Sequence, residues 1–128
     1  MRVAELMLQE ITLVPETDSA QSAAQTLADI DSRFVFIATA DGVVGVLTIR
    51  DIVIRLVAAG LDPTATPVSQ IMSSSLFTCT EQEPAGAAGQ RMVEHRIEQM
   101  PVLDAAGHVV GVITRGAIQT LSPASGVS

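Results

Sequence analysis

The chain repeats itself, and this duplication constrains its fold more strongly than any local pattern does. Residues 45–51 read Gly-Val-Leu-Thr-Ile-Arg-Asp, and residues 111–117 read Gly-Val-Ile-Thr-Arg-Gly-Ala. Each copy follows a Val-Val pair and leads into an apolar stretch, which predicts a short strand that runs into a helix. A duplicated unit is expected to form the same local structure twice. At the last position, Asp51 of the first copy is replaced by Ala117 in the second.

The similarity extends over nearly the whole chain. The matched segments are residues 3–7 with 68–72, 11–14 with 76–79, 23–29 with 88–94, and 36–42 with 101–107. A chain of 128 residues has the usual size of one domain, roughly 100 to 200 residues, so we expect the repeats to share one core. We assign repeat 1 to residues 1–59, a proline-containing linker to 60–67, repeat 2 to 68–121 and a flexible tail to 122–128.

The apolar patterns predict one order of elements in both repeats: helical turn, strand, helix, two strands and helix. In repeat 1 they cover residues 3–8, 11–14, 20–30, 34–38, 43–47 and 48–59. In repeat 2 they cover residues 68–72, 76–79, 84–97, 100–103, 109–113 and a helix that ends at Leu121. The fold class is therefore α/β (α+β), built from two β-α-β-β-α repeats. Pro63 and Pro67 stiffen the linker, so we expect it to clamp the repeats.

The composition argues against several classes of partner. The net charge is −7, and all seven basic residues are arginines that form no cluster. Nucleic acids and anionic membrane surfaces attract clustered cations, so neither is an expected partner. No signal peptide and no apolar run of membrane-spanning length is present, and we expect a cytoplasmic protein. The single Cys79 lies in an apolar stretch and is interpreted as a buried residue rather than a reactive thiol.

The sequence contains no recognisable catalytic or metal-binding constellation. His95 and His108 have no second ligand at a useful spacing, so we assign neither to a metal. Nothing resembles a nucleophile elbow, a phosphate-binding glycine-rich loop or a zinc-binding helix. We therefore expect that the chain is not an enzyme and requires no cofactor.

The order of elements, repeated with Gly-apolar-apolar-Thr at each end, resembles a pair of CBS (cystathionine β-synthase) domains, known as a Bateman module. Typical features are the leading turn that ends in Met, the Met-Pro-Val-Leu-Asp stretch at residues 100–104, and residues 45–51. The resemblance covers residues 2 to about 121, and we expect a stand-alone module without an attached catalytic or DNA-binding domain. It also implies a pseudo-twofold body with small sheets face to face, a cleft for adenosine-containing ligands, and a homodimer.

Thr48 and Asp51 allow two interpretations that do not exclude each other. In the first they form a capping box, in which each side chain accepts a hydrogen bond from the amide of the other residue. In the second, Thr48 and nearby amides favour an anion at the helix start, and the Asp51 carboxylate accepts both hydrogens of a ribose diol. Because a helix is still predicted after Thr114, where Ala117 replaces the aspartate, we favour a ligand-binding role for Asp51.

The resemblance implies further contacts. In relatives, backbone groups and apolar walls for adenine lie at the positions of Thr12, Leu13 and Val14 and at those of Phe36, Ile37 and Ala38. Arg33 and Arg50 are candidates for phosphate binding, because a guanidinium binds phosphate oxygens through two parallel hydrogen bonds; a solvated surface arginine is the alternative for each. In repeat 2, a second site that we expect to be weaker or empty is formed by Thr114, Thr78 and Val102.

These observations predict a regulatory sensor module. An adenosine-containing ligand, namely AMP, ADP, ATP or S-adenosylmethionine, binds in the cleft between the repeats and changes the conformation, to which an unidentified protein partner responds. The alternative is a structural interaction module that dimerises without binding a nucleotide. Apolar residues of the terminal helix, such as Ile118 and Leu121, are expected to be exposed and to contribute to a homodimer.

Overall fold

The computed structural model of the chain describes residues 1–119. The predicted end of the last helix at Leu121 and the predicted tail at 122–128 lie outside these residues. Unit 1 contains Met1–Ile11 together with the chain from Phe77 onward, and unit 2 contains Thr12–Leu76. The leading segment of each repeat therefore belongs to the unit formed mainly by the other repeat. The boundaries 1–59, 60–67 and 68–121 divide the sequence differently and stay a prediction.

The elements alternate in the predicted order. Along the chain they are α1 (Val3–Leu6), β1 (Leu13–Pro15), α2 (Ala20–Asp29), β2 (Phe34–Thr39), β3 (Gly42–Thr48), α3 (Ile49–Asp51), a π-helical segment (Ile52–Val57), a 3-10 turn (Val68–Gln70), β4 (Cys79–Thr80), α4 (Ala85–His95), β5 (Gln99–Leu103) and β6 (Val109–Thr114). Residues 115–119 are helical. Two small three-stranded sheets with helices confirm the mixed α+β class.

The sheet of unit 2 has the order β1-β2-β3. β1 runs parallel to β2, and β2 and β3 form an antiparallel hairpin in which Gly42, the first residue after the turn, has φ +127°. The strand was predicted at residues 11–14, but β1 includes Pro15, which lies opposite Ala38. Proline is tolerated there because it stands at the strand end, and the next residue, Glu16, donates its N–H to the Ala38 carbonyl at 3.2 Å.

Both α2 and α3 of unit 2 start at a side-chain cap, and the sequence predicted the cap at Thr48. The Ser19 hydroxyl accepts a hydrogen bond from the Ser22 amide at 3.1 Å, and Ala20, Ala23 and Leu27 of α2 are buried against the sheet core. After α3 the backbone continues as the π-helical segment rather than as the uniform helix to residue 59 that we expected. Gly60, at φ +73°, ends this stretch, because only glycine adopts that conformation without strain.

The linker packs against the start of α2. The Ala20 amide donates to the Thr66 carbonyl at 2.7 Å, and the Gln21 amide donates to the Pro63 carbonyl at 3.0 Å. Thr66 is buried. The linker is thus an integral part of unit 2, and its expected role as a clamp between the repeats stays a prediction.

In unit 1 the parallel strand is shorter than predicted. The sequence predicted a strand at residues 76–79, but β4 contains only Cys79 and Thr80, which pair with Val102 and Leu103. In unit 2, the Phe36 amide extends the parallel pair by donating to the Thr12 carbonyl at 3.4 Å. The equivalent residue of unit 1 is Pro101, which has no N–H to donate, so the ladder cannot extend.

Each sheet is completed by a leading segment from the other repeat. In unit 1, Leu8 and Val112 exchange two backbone hydrogen bonds of 2.8 and 2.9 Å. In unit 2, Val46 and Ser73 exchange two bonds of 3.0 and 2.9 Å. The methionine before each crossing residue lies over a buried glycine of the strand, Met72 over Gly45 and Met7 over Gly111. These glycines admit the close approach of a second backbone.

No helix among residues 1–119 combines the length and the apolar character that crossing a membrane requires.

Candidate ligand-binding site

Thr48 and Asp51 form the capping box at the end of β3. The Asp51 amide donates to the Thr48 hydroxyl at 3.1 Å, and the Thr48 amide donates to a carboxylate oxygen of Asp51 at 2.9 Å. The strand-to-helix step predicted from the sequence therefore exists, with the side chain of Asp51 only 14% exposed. The capping interpretation is correct, and it leaves the ligand-binding role of Asp51 a prediction.

The second oxygen of the Asp51 carboxylate faces Arg55. Its distance to the Arg55 Nε is 3.8 Å, and Arg55 also donates through Nη1 to the Met72 carbonyl at 2.8 Å. The carboxylate is thereby linked to the segment that crosses over Gly45.

A cavity of about 470 Å³ lies near the C-terminal end of β2 and is lined by residues 13–17 and 38–40. Leu13 and Val14, both predicted to contact adenine, are among these residues. The Thr12 carbonyl is engaged with the Phe36 amide. The Ile37 side chain has no exposed surface and packs in the core of unit 2, so it does not reach the cavity.

The cavity and the Thr48–Asp51 cap lie towards opposite ends of the same strand. Thr48 pairs with Phe34 at the start of β2, whereas the cavity is lined by Ala38 near its end. At roughly 3.3 Å per residue, four steps separate the two by roughly 13 Å along the strand. A single ligand that contacts both must be elongated and lie along β2.

The two predicted phosphate ligands lie near the cap rather than near the cavity. Arg33 precedes β2, and its carbonyl accepts a hydrogen bond from the Ile49 amide at 3.0 Å. Arg50 lies in the first turn of α3. Both side chains are exposed. Their location at the start of a helix suits an anion, while exposure also suits the alternative of a solvated surface arginine.

The predicted second site has a different local structure. The Thr114 hydroxyl accepts a hydrogen bond from the Ala117 amide at 3.2 Å, so half of the capping box persists without the carboxylate. The Val102 side chain is fully buried in the core of unit 1. The Thr78 carbonyl accepts a hydrogen bond from Arg91 Nη2 at 2.9 Å. The helix after Thr114 thus forms without an aspartate, as we expected.

Arg91 and Glu83 form an ion pair in unit 1 that the sequence analysis did not single out. Glu83 also accepts a hydrogen bond from the Thr80 amide at 2.8 Å. The hydrogen bond from Arg91 lowers the pKa of the Glu83 carboxyl, and the same contact raises the pKa of the Arg91 guanidinium. The signal was present in the aligned repeats, where Arg91 stands opposite Thr26 and is long enough to reach Glu83 and the Thr78 carbonyl.

Cys79 and the histidines show no reactive arrangement. Burial raises the pKa of the Cys79 thiol to about 11, with a further contribution from Glu83, so the thiol is protonated at neutral pH. This confirms the interpretation of Cys79 as a buried residue. His95 stacks on Phe77 with ring centroids 4.1 Å apart, and His108 lies 3.5 Å from an Asp104 carboxylate oxygen. Across residues 1–119, no group of three His, Cys, Asp or Glu side chains is placed to hold a metal ion.

Comparison with known proteins identifies the repeated unit. The family model described as "CBS domain" matches residues 3–58 and again residues 68–122. The chain is 32% identical over 120 residues to a homoserine O-acetyltransferase of Methanosphaerula palustris, covering 93% of this chain and 24% of that protein. It is 26% identical over 122 residues to the protein MK0525 of Methanopyrus kandleri, covering 94% and 62%. It is 29% identical over 114 residues to the CBS domain-containing protein YhcV of Bacillus subtilis, covering 89% and 80%.

Solved structures share the fold. A conserved protein from Pyrococcus horikoshii superposes with a TM-score of 0.83 at 28% identity, covering 94% of this chain and 91% of that one. The CBS domain pair of protein MJ0100, in complex with 5′-methylthioadenosine and S-adenosylmethionine, superposes with a TM-score of 0.84 at 23% identity and 98% coverage of both chains. The protein CBSX2, in complex with AMP, does so with a TM-score of 0.80 at 19% identity and 98% coverage of both chains.

Proposed function

Because the chain belongs to the CBS domain family, we propose that it is a regulatory module that binds an adenosine-containing ligand and transmits this binding to a protein partner. The observation that carries the proposal is that unit 2 holds both a cavity and a formed Thr48–Asp51 step on one sheet, towards opposite ends of β2. MJ0100 and CBSX2, which bind adenosyl ligands, share the fold. In this proposal the chain binds and responds rather than catalyses.

A response can follow from the contacts of Asp51. A ribose hydroxyl that donates to the carboxylate takes the place of Arg55, whose guanidinium also holds the Met72 carbonyl. Displacement of Arg55 releases one of the contacts that keep the residues around Met72 on the sheet. We propose that the signal leaves the site through this segment, since a ligand shifts an equilibrium only where it changes a contact.

The proposal is tested by thermal melting with AMP, ADP, ATP and S-adenosylmethionine. A ligand at 100 times its Kd stabilises the folded state by about 2.7 kcal/mol. We therefore expect one of these compounds to raise the Tm by several degrees in a concentration-dependent way. Guanosine nucleotides at equal concentration serve as the control. If no adenosyl compound shifts the Tm at millimolar concentration, the ligand-binding function is wrong.

One observation favours the alternative of a structural interaction module. Both oxygens of the Asp51 carboxylate already have partners within unit 2, so the residue has a complete structural role without any ligand. In this alternative, the cavity is a surface depression and the module acts only by dimerising. The melting experiment separates the two functions, because only the sensor responds to a ligand.

We propose that the site in unit 2 is the stronger of the two. In unit 1, Ala117 replaces the aspartate, so the carboxylate is missing. The Thr78 carbonyl of this unit already accepts a hydrogen bond from Arg91. The equivalent carbonyl of unit 2 belongs to Leu13, and the residue at the position of Arg91 is Thr26, whose hydroxyl donates to the Ser22 carbonyl within its own helix. These two independent differences between the units therefore favour stronger ligand binding at the residues around Asp51.

We propose further that the chain forms a homodimer through the helix that follows β3. Four large apolar residues of this stretch are exposed: Ile49, Val53, Ile54 and Val57. Ile118 was expected to contribute, but it packs in the core of unit 1 against Gly89, and Leu121 lies outside the described residues. A second copy of the chain presents the same apolar surface. Packing of the two surfaces against each other would remove both surfaces from water.

Light scattering at micromolar concentration should therefore give the mass of a dimer. Val57→Glu, at a position that is 66% exposed, is expected to shift the mass to that of a monomer. The matched control is Val93→Glu on α4, at 56% exposure, which should leave the dimer intact. An interface of roughly 1,500 Å² holds at this concentration. A concentration-independent monomer mass of the parent chain would contradict the proposal.

A further inference from the structure

The ion pair between Arg91 and Glu83 covers the outer edge of β4 in unit 1. This strand lies at the edge of its sheet, with β5 as its neighbour. Arg91 Nη2 donates to the Thr78 carbonyl at 2.9 Å, and a Glu83 carboxylate oxygen accepts from the Thr80 amide at 2.8 Å. Two side chains thus supply hydrogen-bond partners that a further strand would supply at an open edge.

The pair is held in place from several sides. The two Nη atoms of Arg91 contact the two carboxylate oxygens of Glu83 in parallel, which gives the contact a defined geometry. The Glu83 amide donates to the Thr80 carbonyl at 3.2 Å, and the Glu83 carbonyl accepts from the Val3 amide at 2.8 Å. Both side chains are half-buried, so salt screens their attraction less than that of an exposed pair. The guanidinium is therefore fixed beside the Thr78 carbonyl.

The backbone of unit 2 has the same arrangement at the corresponding positions. The repeat sets the correspondence: Leu13 with Thr78, Asp18 with Glu83, and Thr26 with Arg91. The Asp18 amide donates to the Pro15 carbonyl at 3.0 Å, and the Asp18 carbonyl accepts from the Val68 amide at 2.8 Å, as the backbone of Glu83 does in unit 1. The difference between the units at this place therefore comes from their side chains.

The side chains of unit 2 leave the strand edge open. The Thr26 hydroxyl donates to the Ser22 carbonyl of its own helix at 3.1 Å. Among residues 1–119, no side chain donates a hydrogen bond to the carbonyl of Leu13, a residue that lines the cavity. The place that a guanidinium fills in unit 1 is thus accessible in unit 2.

We propose that the Arg91–Glu83 pair is an intramolecular lock, in which the Arg91 guanidinium takes in unit 1 the place that a ligand takes beside Leu13 in unit 2. The inference rests on the proposed function and adds a regulation to it: unit 1 is held without any ligand, and only unit 2 responds to one. A guanidinium presents N–H donors in a fixed geometry to the carbonyl. Because it is attached to the chain, it competes with a free ligand at the high effective concentration of an intramolecular group.

The lock is opened by giving unit 1 the residues of unit 2. Arg91→Thr with Glu83→Asp removes the guanidinium, and Ala117→Asp supplies the missing carboxylate next to Thr114. Calorimetric titration of the full chain with AMP and with S-adenosylmethionine measures the number of sites. We expect one site per chain in the parent and in Ala117→Asp alone, and two sites per chain in the variant that carries all three changes.

The matched control combines Arg2→Thr with Ala117→Asp. Arg2 Nη1 donates to Gln82 Oε1 at 2.7 Å, so this variant removes another guanidinium from unit 1 and leaves the contact with the Thr78 carbonyl intact. It should keep one site per chain. Loss of an ion pair with a structural role alone would lower the Tm of the variant with three changes, but it would not change the number of sites.

The reverse experiment builds the lock into unit 2. Asp18→Glu with Thr26→Arg places the same pair beside the Leu13 carbonyl, and we expect binding of both compounds to weaken about 10-fold, because the ligand loses a hydrogen bond there. Gln25→Arg adds the same charge at the neighbouring exposed position of α2 and should bind as the parent does. This direction tests the lock even if the opened chain does not fold.

One site per chain in the variant with three changes, or parental affinity after Asp18→Glu with Thr26→Arg, would overturn the lock and leave the proposed function standing. If the parent chain binds neither AMP nor S-adenosylmethionine and no adenosyl compound shifts its Tm, the proposed function falls, and the lock falls with it.

Discussion

Asp51→Ala is expected to weaken binding of the adenosyl ligand roughly 10- to 100-fold, because hydrogen bonds to a charged group contribute about 1.5 to 3 kcal/mol. The same change removes the carboxylate from the capping box and from Arg55, which costs about 1 kcal/mol of folding stability. The fold should therefore survive while calorimetric heat largely disappears. Titration of parent and variant with the best compound from the melting experiment measures the first effect, and urea unfolding measures the second.

The control for Asp51→Ala is Ser19→Ala. Ser19 caps α2 in the same unit through one hydrogen bond to the Ser22 amide, so its loss carries a similar cost in stability without touching the predicted site. Ser19→Ala should bind as the parent does. If Asp51→Ala also binds as the parent does, or if titration shows two equal sites per chain, capping is the whole purpose of Asp51.

Gly45→Ala is expected to lower the free energy of unfolding by about 3 kcal/mol, at the upper end of the cost of overpacking. A methyl group built on Gly45 lies 2.6 Å from the Met72 sulfur and 2.8 Å from the Ser73 carbonyl oxygen. The sulfur belongs to a flexible side chain, but the oxygen belongs to a backbone that is bonded to Val46 in both directions. The segment must move away from the sheet, and these two hydrogen bonds are strained or lost.

Urea unfolding of Gly45→Ala and three further variants separates this mechanism from a general effect of glycine replacement. Gly111→Ala should be as damaging as Gly45→Ala, since its methyl group lies 2.6 Å from the Leu8 carbonyl oxygen. Gly86→Ala on α4 meets nothing within 4 Å and should stabilise the chain by about 0.5 to 1 kcal/mol. Adding Met72→Ala to Gly45→Ala should not restore stability, because the backbone clash remains. A Gly45→Ala variant as stable as the parent would show that the crossing segment is loosely held.

Features set by neighbouring residues could be predicted from the sequence. The capping box joins Thr48 to a residue three positions later, and α2 was placed to within one residue because its cap and its buried alanines are local signals. The short length of β4, by contrast, depends on its neighbour in the sheet, β5, and not on residues close to it in the sequence. Pro101 was visible in the sequence, but its missing N–H matters only because it faces the Phe77 position across the sheet.

The exchange of the leading segments was beyond the reach of sequence patterns. Both segments are short, and both carry a methionine before the crossing residue, so either could complete either sheet as judged by local pattern. The tertiary structure determines which leading segment pairs with which sheet. For the same reason the sequence could not separate Leu13, which lines the cavity, from Ile37, which is buried.

The division of the chain into its two units also sets the order in which they can be completed during synthesis. Unit 2 is one continuous stretch, Thr12–Leu76, so all of its residues have been synthesised before β5 and β6 are made. Unit 1 joins the first residues of the chain to nearly the last ones described, as Leu8 pairs with Val112. Met1–Ile11 must therefore wait, without its sheet, until β6 appears. If unit 2 has folded by then, it shortens the loop that this pairing has to close and so lowers its entropic cost.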